Sequence, residues 1–196
     1  MATLIFLITL LAIIFFIIQV IIKAIQHKSI KSTVRFLLLV LGAYGLLWLF
    51  FYLISAEVNV PPGTDICFDD WCATMSKAER QQTIGDKKSI GQFIILHIRL
   101  SNHARGIAQK PSEPRIHILD DKGNSYPYSP IGQQALESIS GKQVPIDEKL
   151  ELHQSLETKL VFDIPENAVG LKVLIEEGPF ITRLLLRSDN KVFLVQ

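Results

Sequence analysis

Cys67 and Cys72 are the only cysteines in the chain, and Asp69, Asp70 and Trp71 lie between them. Two thiols near two carboxylates could form a metal clip, a redox pair, a structural staple or the base of a binding knob. Zinc needs three or four converging ligands. The outer histidines His97, His103, His117 and His153 show no ligand spacing that would supply them. A redox pair normally has two residues between its cysteines, whereas four separate Cys67 and Cys72. Asp120–Asp121 and Glu176–Glu177 are acidic pairs at turns, without the regular series of oxygen ligands that calcium requires. The chain has no phosphate-binding glycine loop, zinc-protease helix or nucleophile elbow. No catalytic residue, metal or cofactor is therefore predicted. A Ser/His/Asp set is defined by geometry and not by order in the chain.

Which chemistry the cysteines can do depends on where the chain places them. The 196 residues are 48% hydrophobic with a formal net charge of +1. Residues 1–55 hold no acid and four basic residues, Lys23, Lys28, Lys31 and Arg35, while all 19 acids lie in 56–196. This weak, mixed charge lacks the clustered basic face of a nucleic-acid binder. Residues 3–22 and 36–55 are each 20 residues long and uncharged. That length matches a bilayer core of about 30 Å, so both segments are expected to span a membrane. A cleaved signal peptide would need a basic start and a small-residue cleavage site, and Met1–Ala2 supplies no basic side chain.

The loop 23–35 carries the four basic residues, which predicts a cytoplasmic loop by the positive-inside rule. The N-terminus and the C-terminal domain are then extracytoplasmic. Gly42, Ala43 and Gly45 form a small-residue patch suited to packing within this hairpin.

Residues 56–63 read as a linker held extended by Pro61 and Pro62, and residues 64–196 as an all-β domain. In 92–102, Ile94, Leu96, Ile98 and Leu100 share one face, while Ile95, His97, Arg99 and Ser101 share the other, as in a half-buried strand. Further strands are predicted at 115–119, 158–164, 171–175, 180–187 and 192–195, and a short helix at 129–140. About seven short strands with polar turns imply a β-sandwich.

Gly91, Phe93 and Asn102, then Leu119, Asp121, Gly123 and Tyr126 or Tyr128, then Leu160 to Pro165, Ala168 and Leu171 follow a family order. This pattern, over 91–178, resembles the bacterial telokin-like, immunoglobulin-like accessory domain, a family of unknown function found on membrane proteins and lipoproteins. The resemblance implies an immunoglobulin-like sandwich, a bacterial plasma membrane, and no catalytic residues. The chain departs from the family at Leu152 to Ser155, which lacks the usual Pro-Gly, and this bears on the turn there.

An extracytoplasmic position permits disulfides. On one straight strand, residues five apart point to opposite faces, so a bend or bulge at 68–71 must bring Cys67 and Cys72 together. A staple is the leading reading, and it would push Asp69, Asp70 and Trp71 out as a rigid knob, a candidate partner contact. The functional expectation is a non-catalytic binding or accessory protein that sits in the lipid bilayer and recognises a membrane or envelope partner. The alternative is a small-ligand sensor or enzyme with a pocket in the sandwich loops.

Overall fold

The computed structural model describes residues 2–54, 57–68, 70–178 and 191–195, which fall into a helical unit and a β-unit. In the helical unit, α1 is Ala2–Ile25 and α2 is Lys31–Ile54. Both are long and apolar enough to cross a membrane, and large side chains such as Leu11, Phe15, Leu38 and Leu46 are exposed along them. The two helices meet through aromatic rings: Phe16 stacks on Phe36 at 6.3 Å, and Phe6 tilts against Tyr44 at 6.5 Å. At the connection, Lys23 Nζ donates to Thr33 Oγ1 at 2.7 Å. The expected packing role of the small-residue patch does not hold. A Cβ added at Gly42 or Gly45 would meet nothing within 4 Å, because the helices are joined on their aromatic side.

In the β-unit, the described residues form nine strands and one helix: β1 Val58–Val60, β2 Ile66–Phe68, β3 Trp71–Ile84, β4 Lys87–Asn102, β5 Arg115–Leu119, β6 Ser125–Tyr126, α3 Pro130–Ser140, β7 Ser155–Ile164, β8 Lys172–Glu176 and β9 Lys191–Leu194. One sheet has the order β1-β9-β8-β5-β6 and the other β2-β3-β4-β7. A single core joins them. Trp71, Met75, Ile94, Leu96, Ile98, Leu100 and Phe162 come from the second sheet, and Ile116, Ile118, Val173 and Phe193 from the first. This is a β-sandwich. The expected linker is partly sheet: Val58–Val60 pairs in parallel with Lys191–Phe193, since the Val side chains and extended backbone before Pro61 suit an edge strand. The strand predicted at 180–187 lies outside the described residues.

The central strand is β4, paired with β3 on one side and with β7 on the other. Its expected half-burial is corrected by α3. Phe93 and Ile95, on the outer face, pack with Ile84, Val161, Ala135 and Leu136, so that part of β4 is buried on both faces. The helix is built for this place. Ser129 caps it by accepting from Gly132 N–H at 3.2 Å, Pro130 opens its first turn, and Gly141 ends it with φ +83°. Gly132 gives the clearance, as a Cβ there would lie 2.6 Å from Val161 Cγ1.

The two ends of β4's paired stretch are pinned differently. At Gly91 a Cβ would lie 2.3 Å from Ile164 O and 2.6 Å from Glu166 N, so only glycine allows β7's exit to pass. At the other end, the buried Asn102 carboxamide donates to Ile107 O, Leu150 O and Glu151 O and accepts from Ala104 N–H at 2.8 Å. Gly91→Ala should lower stability by about 1–3 kcal/mol, as overpacking against backbone does. Denaturant melts of the detergent-solubilised full chain would measure it, and an unchanged midpoint would contradict this packing.

Candidate functional site

The cysteine segment folds as a tight hairpin. Its expected bend is a strand reversal and not a bulge within one strand. Cys67 stands opposite Cys72 and Phe68 opposite Trp71, leaving only residues 69 and 70 to connect β2 to β3. The two sulfurs are 2.04 Å apart, a disulfide pair. Cys67 is exposed, and Cys72 is fully buried.

The expected knob needs correction. Trp71 is only 2% exposed and belongs to the inter-sheet core, with its ring 5.7 Å from that of Phe68. In β3, Trp71, Ala73 and Met75 share the face toward the inter-sheet core, so period-two alternation turns the indole into that core and Cys72 to the sheet's opposite face. Asp70 is half-buried, and its carbonyl accepts from His103 N–H at 2.8 Å. Asp69 lies outside the described residues.

Beside this hairpin a Ser/His/Asp set does come together. His103 Nε2 is 3.1 Å from Ser101 Oγ and 3.5 Å from Asp65 Oδ2, while Arg99 donates to Asp65 Oδ1 at 3.2 Å. The geometry is not that of a catalytic triad. A triad places serine and carboxylate on opposite ring nitrogens, so that the carboxylate orients the base; here both face Nε2. The cluster ties the start of β2 to the end of β4. His97 lies farther along β4, where its Nε2 is 3.1 Å from Glu79 Oε1. A hydrogen bond from Lys77 is the main reason that the Glu79 carboxyl is held below its ordinary range, with smaller help from the charges of Lys77, His97 and Lys159. Among the described residues no group of three or more His, Cys, Asp or Glu is placed to hold a metal.

Asp120 closes the β5–β6 turn. Its carboxylate accepts from Lys122 N–H, Asn124 N–H, Asn124 Nδ2 and Tyr126 Oη, all within 3.0 Å. These bonds, led by that from Asn124's side chain, hold its pKa below the usual carboxylate range. Burial first, and then the bond to Asp120, push the Tyr126 hydroxyl upward. With every acceptor position engaged by its own turn, Asp120 is structural. The aspartate that matches the family-like pattern is its neighbour Asp121, whose N–H donates to Val169 O. The turn at 151–154 departs from that pattern in a visible way: His153 takes φ +59°, a value that glycine adopts more easily.

One cavity that bears on binding was not visible in the sequence. It is a groove of about 510 Å³ between β5, the segment after β6, α3, the segment 142–147 and Leu160 of β7. Pro114, Ile116, Pro127, Val144, Pro145, Ile146 and Leu160 give it an apolar lining. Arg115, His117, Glu137, Lys142 and Asp147 add polar groups. Of the histidines considered above, only His117 borders it. Its signal is the run Val144–Pro145–Ile146, apolar residues in a stretch with no periodicity.

No family model matches the chain, and no curated protein matches it. Solved structures similar to it include a conserved hypothetical protein from Bacillus anthracis, 15% identical, covering 61% of this chain and 88% of that one with a TM-score of 0.48. A secreted protein from Mycobacterium tuberculosis is 12% identical over 71% of this chain and 98% of that one, with a TM-score of 0.47. An uncharacterized β-sandwich protein from Clostridium difficile is 11% identical over 72% of this chain and 97% of that one, with a TM-score of 0.45.

Reducing the Cys67–Cys72 pair frees a six-residue loop, which should lower stability by about 2 kcal/mol in the chain-entropy model. Denaturant melts with and without reductant would show it, and identical melts would contradict a stapling role. Asp120 makes a second prediction. Its folded-state pKa is lowered, so its contribution is present above the unfolded value of about 3.9 and is lost as pH falls through the folded value. Asp120→Asn should therefore be less stable than wild type at pH 7, and the gap should narrow at about pH 3. An equal gap at both pH values would contradict this.

Proposed function

We propose that the chain is a two-span protein of a bacterial plasma membrane whose immunoglobulin-like, telokin-like sandwich lies outside the cytoplasm. There it acts as a non-catalytic binding module for a membrane or envelope partner. Three features support the placement. The helices have the length and apolar surface of spans, the connection between them carries Lys28 with Lys23, Lys31 and Arg35 on the helix ends that flank it, and a disulfide suits an oxidising compartment.

The observation that carries the binding role is the groove. It offers apolar surface with a few polar groups, as binding sites do. Its amide side chains are already engaged: Gln133 and Gln143 bond to β7's backbone, and Glu137 accepts from Gln143 N–H. This leaves the apolar lining as contact surface, with His117, Tyr128 and Lys142 at its border. The groove's volume also falls within the range of about 300–1,000 Å³ common for small-molecule sites, so a small-ligand sensor is the second reading.

Two measurements test the proposal. With the native disulfide kept, a membrane-impermeant maleimide on intact cells should label Glu148→Cys, and label Lys28→Cys only after permeabilisation. The opposite pattern would contradict the orientation. A photo-crosslinking residue in place of Ile146 in the full chain should yield a discrete adduct in native membranes. Recovery of uncross-linked chain alone, under several growth conditions, would contradict the binding role.

A further inference from the structure

The two sheets treat their edges beside the groove differently. On β7, the backbone groups of Lys159 and Val161 that would bond to a further strand are taken. Ser129 N–H donates to Val161 O, Val161 N–H to Gln133 Oε1, Gln133 Nε2 to Lys159 O, and Lys159 N–H to Gln143 Oε1. Two carboxamides and one backbone amide stand in for a strand. This is edge protection of the kind that keeps sheets from pairing with other chains.

On β5, the protection stops. β6 pairs with Ile118 and Leu119 only, while β8 pairs with all five residues of β5. The direction of the remaining groups follows from the ladders. Asp120 N–H donates to Asn124 O, so even-numbered residues of β5 turn their backbone groups toward β6. The other side agrees. Val195 N–H donates to Leu171 O, so odd-numbered residues of β8 face β9, and Lys172, Leu174 and Glu176 face β5 opposite Leu119, His117 and Arg115. Ile116 therefore presents its N–H and C=O along the edge that β6 leaves open. No turn or side chain among the described residues takes them. Ile116 is buried and borders the groove, where an unmade backbone pair is costly.

We propose that an extended peptide of a partner protein adds to the sheet here, pairing its backbone with Ile116 and placing an apolar side chain in the groove. One residue offering both a donor and an acceptor asks for an antiparallel strand residue, which returns both bonds at once. Charge narrows the peptide further. Glu113 pairs with Arg115 at 3.3 Å and Lys110 with Asp147 at 3.8 Å, whereas Lys142 makes no ion pair among the described residues. A peptide with an acidic residue next to its apolar one complements Lys142. The site is short, because β6 already takes Ile118 and Pro114 has no N–H to offer. Short strand addition fits a reversible partner contact. This inference rests on the binding-module reading and names its site and the class of its partner.

The test uses the full chain in mild detergent and a phage-displayed library of random peptides roughly ten residues long, the scale of strand-addition ligands. Selected peptides should alternate apolar residues and carry an acid. N-methylation at one particular backbone amide should weaken them by about tenfold, the worth of one strong hydrogen bond. Lys142→Glu, an exposed change that should leave the fold intact, should weaken them similarly. Cross-linkers on the peptide should mark 114–117 or 144–146. Peptides indifferent to N-methylation at every position, or cross-linked elsewhere, would overturn the strand-addition site while leaving the binding module standing. Failure to select any peptide would also overturn it, and the adduct experiment at Ile146 would then decide separately whether the module binds another class of partner.

Discussion

The β-unit depends on one strand being held in one register. β4 lies between β3 and β7 and is apolar on both faces through Phe93, Ile94, Ile95 and Leu96. In a half-buried strand, a one-residue slip is penalised because polar side chains enter the core. Between Phe93 and Leu96 that penalty is weak, since a slip would exchange one set of large apolar side chains for another, and only the outer-face His97 and Arg99 beyond them resist it. Register has to be fixed at the ends, and Gly91 and Asn102 do this by opposite means. Gly91 excludes every alternative residue by lack of space, and Asn102 specifies its own place by sharing its two side-chain N–H groups among three backbone carbonyls and accepting from a fourth backbone group. With those ends fixed, α3 can settle on the Phe93–Ile95 face, and the segment that follows it can border the groove.

The same constraint separates structure from function in this domain. The features that first suggest chemistry are mostly structural. The cysteine pair closes a hairpin, Trp71 fills the core, and Asp120 spends its lone pairs inside its own turn. The Ser101–His103–Asp65 contacts have the composition of a catalytic set and the wrong nitrogen. What remains open to a partner is less conspicuous: an apolar groove and a short stretch of sheet edge.

The legible parts of the sequence were those set by local periodicity and composition. The two long apolar helices, β5, the helix after Ser129 and the proximity of the cysteines all follow from patterns a few residues long. β3 carries no such signal, because its outer half, from Ser76 to Gln82, is largely polar and half-buried at most, so nothing alternates strongly. Ile95 shares its face with His97 and Arg99, and no local signal shows that α3 returns to cover it. The bend between the cysteines does not by itself say which face turns inward, so the burial of Trp71 follows only from the register of β3. The groove was invisible for a deeper reason. It is assembled from residues between 114 and 160 that meet only after both sheets have formed.

The most direct test of the account is native-state hydrogen exchange on the detergent-solubilised full chain. If β4 is the strand that fixes the rest, the amides from Ile94 to Ile98 should be the slowest to exchange in the β-unit, opening only with global unfolding. Exchange there as fast as in the edge strands β1 and β6 would contradict it.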